Sequence, residues 1–63
     1  MRGPGEVNMV LADVVRTGNF PIIVELVKIC GEGWAYGFNK MHTSAILQGD
    51  EAKAVKAITK AKL

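Results

Sequence analysis

The sequence predicts an α+β fold, a small ferredoxin-like sandwich in the order β-α-β-β-α. Three observations predict it. A valine-rich stretch alternates Val7, Met9 and Leu11 against Asn8, Val10 and Ala12, as the two faces of a strand do. Trp34, Tyr36 and Phe38 fall two residues apart, on one face of a second strand. The apolar run Ala45-Ile46-Leu47 then closes at Gly49, and Asp50-Glu51 opens a helix.

Residues 1–6, with Gly3, Pro4 and Gly5, read as a flexible lead, and residues 7–63 as one domain. The first element has two readings. Val7, Val10, Leu11 and Val14 also fall at i, i+3, i+4 and i+7, a helical stripe that gives the alternative order α-α-β-β-α. Its β-branched residues and short length favour the strand, whereas Asp13 counts against it unless the strand bends or lies at an edge. Thr17-Gly18-Asn19-Phe20-Pro21 is a turn leading into a helix, because proline suits the first helical position and Asn19 offers a capping oxygen.

That helix runs from Pro21 to about Cys30, with Ile22, Ile23, Leu26, Val27, Ile29 and Cys30 as a wide apolar face. Glu25 and Lys28 are spaced for contact, and Gly31 and Gly33 stop the helix. After the Trp34–Phe38 strand, Lys40 to Ser44 form a connection and Thr43 to Gln48 the last strand. Asp50 caps the final helix, whose Ala54, Val55, Ile58 and Ala61 face inward and whose Lys53, Lys56 and Lys60 face out. No internal repeat or low-complexity segment stands out.

Size limits the options. A chain of 63 residues buries only about 60% of its unfolded surface, so such domains lean on disulfides, metals or partner subunits. Cys30 is the single cysteine and His42 the single histidine, too few for an internal disulfide or a four-ligand metal site. With 49% of residues hydrophobic, assembly with other chains is the stabiliser that remains. Trp34, Tyr36, Phe38, Met9 and Met41 exceed what so small a core needs, which points to subunit contact.

Other classes have weaker support. A net charge of +2 does not by itself argue nucleic-acid binding. Lys53, Lys56, Lys60 and Lys62 are read as a solvated face, and the aromatics as core or interface in preference to a base-stacking platform. The lone thiol fits a reducing cytoplasm. No apolar segment follows Arg2 as a signal peptide requires, and no run approaches the ~20 residues of a membrane span. His42 is read as a solvent-facing loop residue and Cys30 as a buried small apolar one. Gly31, Gly33 and Gly37 follow a helix and precede a strand, the reverse of a phosphate-cradling loop. No catalytic, cofactor-binding or metal-ligating residue is assigned, and no cofactor is expected.

Ile46-Leu47-Gln48-Gly49-Asp50, followed by Ala54-Val55-Lys56-Ala57, resembles the end of the bacterial microcompartment shell domain. Tyr36-Gly37-Phe38 is similar to that family's preceding strand, and Gly18-Asn19-Phe20-Pro21 to the opening of its first helix. Gln48 stands where many members carry arginine, and the family's glycine-rich pore loop is absent. The resemblance implies a non-catalytic structural protein tiling as a cyclic homo-oligomer. It implies that Lys28, Glu25, Asp50 and Lys53 lie at subunit edges, with Gln48 in the edge packing. It also implies a pore loop of Lys40, Met41, His42, Thr43 and Ser44. The alternatives are a small accessory or regulatory subunit docking on a larger complex and, third, an RNA- or DNA-binding module.

Overall fold

In the computed structural model, which describes residues 4–61, the chain is four helices: α1 Pro4–Thr17, α2 Phe20–Cys30, α3 Lys40–Leu47 and α4 Glu51–Lys60. There is no strand among the described residues, so the expected β-α-β-β-α sandwich is overturned, as are both strands of its α-α-β-β-α alternative. Of the expected lead, residues 1–3 lie outside the described residues, whereas Pro4 to Glu6 form the first turn of α1.

Each correction has a local cause. In α1 the buried residues are Asn8, Leu11, Ala12 and Val15, a helical stripe rotated by about one position from the valine pattern. Val10 is thereby turned outward. Asp13, awkward in a half-buried strand, sits in solvent and pairs with Arg16 one turn on at 2.5 Å. The Trp34–Phe38 segment is a loop because Gly33 and Gly37 both hold positive φ, and the Gly37 amide donates to the Trp34 carbonyl at 2.6 Å. Alternation in the sequence thus becomes a folded-over aromatic cluster. The third expected strand is helix because Asn39 caps it: its Oδ1 accepts from the His42 amide at 2.9 Å, and the His42 ring accepts from the Asn39 amide.

The two expected helices hold. α2 begins with Phe20-Pro21 and ends against Gly31, whose amide donates to the Val27 carbonyl. α4 is capped by Asp50, whose Oδ1 accepts from the Lys53 amide at 3.1 Å.

Packing passes round the helices in cyclic order, α1 to α2 to α3 to α4 and back to α1, and the most extensive contact is that of α1 with α4. Leu11, Ala12, Val15, Ile23, Val27, Phe38, Ala45, Ile46, Ala54 and Ile58 form one continuous core. Asn8, buried in α1, donates through its Nδ2 to the Ala61 carbonyl at the end of α4.

A repetition absent from the sequence reading emerges here. A shift of 31 positions, from Gly18 to Gly49, lays α2 on α4 and the end of α1 on the end of α3 within a residue, while α1 begins five positions earlier than α3. Burial follows. Leu11 and His42, Ala12 and Thr43, Val15 and Ile46, Ile23 and Ala54, Val27 and Ile58 are buried pairs. Val24 and Val55, and Leu26 and Ala57, are half-buried pairs. Residue identity survives only at Asn8/Asn39, Gly18/Gly49 and Val24/Val55, which is why the repeat does not show as letters.

The two turns differ in geometry. Gly49 has φ +80 and its amide donates to the Ile46 carbonyl at 3.0 Å. In the first hairpin the left-handed residue is Asn19, at φ 62, and it makes no side-chain cap bond. Removing the cap with Asp50→Ala is therefore expected to lower stability by about 1 kcal/mol. Asn19→Gly removes no cap and relieves the left-handed strain, and is expected to be neutral or stabilising by a few tenths of a kcal/mol. Urea melts followed by helical circular dichroism check both; equal losses would contradict this account of the caps.

Candidate functional site

The only histidine is where the local chemistry is most constrained. Asn39 starts α3 in an extended conformation, and the reciprocal bonds with His42 place the imidazole under Phe38, ring to ring at 6.2 Å and near perpendicular. His42 is 0% exposed. Its Nδ1 accepts from the Asn39 amide at 3.4 Å, so the neutral ring carries its proton on Nε2, which has no partner among the described residues. Burial strips water from the charged form and holds the His42 pKa below its ordinary value. The expected solvent-facing loop histidine is therefore a core residue, occupying the position that Leu11 fills in the first hairpin.

The aromatic loop is built around it. Trp34 and Tyr36 meet edge to face at 4.6 Å, Trp34 lies over Phe38 at 6.1 Å, and Tyr36 meets Phe38 at 6.0 Å. Phe38 is fully buried, Trp34 half-buried and Tyr36 exposed. Of the three residues expected at an interface, Phe38 is thus core, and only Tyr36 presents much surface.

Lys40 to Ser44, expected as a pore loop, are the first turns of α3. Lys40, Met41 and Ser44 face solvent, whereas His42 and Thr43 face the core. Thr43 also donates its hydroxyl to the Lys40 carbonyl at 2.9 Å. With Ala45, Gln48 and Ala57, the outward residues line an open groove of about 520 Å³ between α3 and α4. A second recess of about 560 Å³ lies over Glu32, Gly33, Gly37, Phe38, Asn39 and Lys40. Neither brings together a nucleophile, a base and an orienting group, and no cluster of metal-ligating side chains occurs among the described residues.

The remaining expected edge residues are all on the surface. Glu25 and Lys28 pair at 3.3 Å on α2, and Gln48, Asp50 and Lys53 lie exposed at the α3–α4 turn and the start of α4. Lys53, Lys56 and Lys60 form a solvated stripe on α4, and Lys62 lies outside the described residues. Cys30, expected to be buried, is exposed at the end of α2. Sequence reasoning did not single out Ile29, 79% exposed, or Ile22, 53% exposed, because it placed both on the buried face of their helix. Met9 and Met41, flagged as surplus apolar residues, are 61% and 60% exposed. No helix among the described residues is long and apolar enough to cross a membrane.

Comparison with protein-family models, curated proteins and solved structures finds no match to this chain.

The buried imidazole predicts an acid-sensitive fold. Unfolding restores the ordinary pKa of 6.5, so the unfolded chain takes up a proton that the folded chain resists. Stability from this group is fully present above pH 6.5 and is lost as the pH falls below it toward the lowered folded value. His42→Leu, which restores the residue type of the first hairpin, is expected to flatten that dependence. Melting curves between pH 4 and 8 test it; equal slopes for both chains would contradict the assignment.

Proposed function

We propose that this chain is a small non-catalytic assembly protein that acts by forming a closed homo-oligomer. The observation that supports this reading is the outward placement of Ile29, Met9, Met41 and Ile22 on three different helices of a 63-residue chain. A chain this small has little apolar surface to spare, and exposed apolar side chains grouped on helix faces are the usual mark of contact with another protein. The titratable group with a perturbed environment, His42, is sealed in the core, where it serves the fold and touches no groove that a substrate could enter. This reading is independent of the shell-domain resemblance, whose expected sheet is replaced by helices.

Sedimentation equilibrium over roughly 10 µM to 1 mM, a range that captures the small interfaces such a chain can offer, tests the proposal. The expected result is a rise in mass with concentration to a defined small oligomer. A monomer throughout would overturn it. A monomer whose mobility shifts with RNA in a salt-dependent manner would favour the α4 lysine stripe as the working surface instead.

A further inference from the structure

We infer that the groove between α3 and α4 receives the outer face of α1 from a second copy of this chain, so that copies join head to tail. The inference deepens the assembly reading and rests on it. Its starting point is the floor of the groove. Ala45 and Ala57 lie there, and the shift of 31 positions matches them to Val14 and Leu26. The first hairpin fills these positions with large side chains of its own. The second leaves an open space of about 520 Å³, bounded on the α3 side by Lys40 and Met41. An apolar side chain with an acid beside it suits such a space.

Charge divides the chain along the same line. Between residues 4 and 32 there are four carboxylates and two cations; between residues 33 and 61 there are four cations and two carboxylates. A chain acidic in one half and basic in the other is complementary to its own copy placed head to tail. This makes a second copy the occupant that the groove selects.

Spacing sets the register. On α1, Glu6, Met9, Asp13 and Arg16 fall at i, i+3, i+7 and i+10, all exposed and on the side away from Leu11 and Val15. On the groove side of α4, the cap Asp50, then Lys53, Ala57 and Lys60 repeat that spacing. Laid antiparallel, the two stripes set Glu6 against Lys60, Met9 against Ala57, Asp13 against Lys53 and Arg16 against Asp50. Each charge then meets its opposite, and Met9, 61% exposed in the single chain, enters over the small alanine. Laid parallel, the same stripes set Glu6 against Asp50 and Arg16 against Lys60, so charge repulsion excludes that direction. The Asp13–Arg16 pair need not break, since both members gain a partner. Stripe and groove are different surfaces of one chain, so the contact is heterologous, and a ring closes it when each copy gives its α1 and receives another. One helix in one groove is smaller than a standard interface, so each contact is expected to be weak and concentration-dependent.

The test uses the whole chain in sedimentation equilibrium, with circular dichroism to confirm the helices. Met9→Lys removes the entering side chain, and Ala57→Leu fills the groove with the residue type of the first hairpin. Each alone is expected to be a monomer with helicity unchanged. Mixed in equal amounts, the two are expected to give a dimer of one of each and nothing larger, because one keeps a working groove and the other a working α1. Should Ala57→Leu disturb the helices, Lys53→Glu with Lys60→Glu disables the groove by charge and takes its place in the mixture. Glu6→Lys is expected to weaken association about fivefold, within the range of exposed ion pairs, and adding Lys60→Glu to restore it. Three outcomes overturn the inference. Single variants that keep the wild-type oligomer remove this contact but leave assembly standing. Variants that are monomers apart and remain monomers when mixed show that the two surfaces do not meet. A wild-type monomer at every concentration removes both readings.

Discussion

Closure of α1 onto α4 holds the rest of the molecule in place. The four helices have 14, 11, 8 and 10 residues, lengths at which an isolated helix is marginal in water. Each becomes stable only by burying a face, and in a ring of four the core is not enclosed until the first helix meets the last. Leu11, Ala12 and Val15 from one end of the chain complete the core that Ala54 and Ile58 enter from the other. The Asn8 side chain reaching the Ala61 carbonyl fastens the same junction with a buried polar bond, and such bonds are costly to break when no water can replace them.

That closure explains how two hairpins with so few identical residues can occupy equivalent positions. What they share is the order of buried, half-buried and exposed positions; side-chain volume is traded across the core, with Ile23 opposite in type to Ala54 and Leu11 to His42. A core of this kind tolerates chemical divergence provided total volume and patterning are kept. Outward positions carry no such constraint, so their chemistry reports on surroundings.

Two of the four helices were legible, where caps and breakers agreed with periodicity. Pro21 and Gly31 bounded α2, and Asp50 with its following alanines and lysines specified α4. The misreadings came from residues whose local preference suits two structures. Val7, Val10 and Val14 fit a strand by side-chain shape and a helix by spacing, and the need to cover α4 decided for helix. The Asn39–His42 cap was hidden because histidine stands where a glutamate or glutamine usually completes the pair. Trp34, Tyr36 and Phe38 carry strand periodicity, yet Gly33 and Gly37 take backbone angles that no strand accepts. For the candidate surface, the surplus of apolar residues was readable at Met9 and Met41. Ile22 and Ile29 were not, because a helix with apolar residues nearly all round does not declare which side faces inward.

The junction of α1 with α4 also governs when this protein can fold. Its most extensive contact joins segments at opposite ends of the described chain, so the largest share of tertiary packing comes only when α4 meets α1. During synthesis the α1–α2 hairpin emerges with Leu11, Val15, Ile23 and Val27 only partly covered, and that cover stays incomplete until α4 has been made. Contacts of long sequence separation slow folding and lengthen the exposure of apolar surface. A nascent chain stalled before residue 51 would therefore present a sticky, unfinished hairpin. Its first available cover would be another hairpin of the same kind.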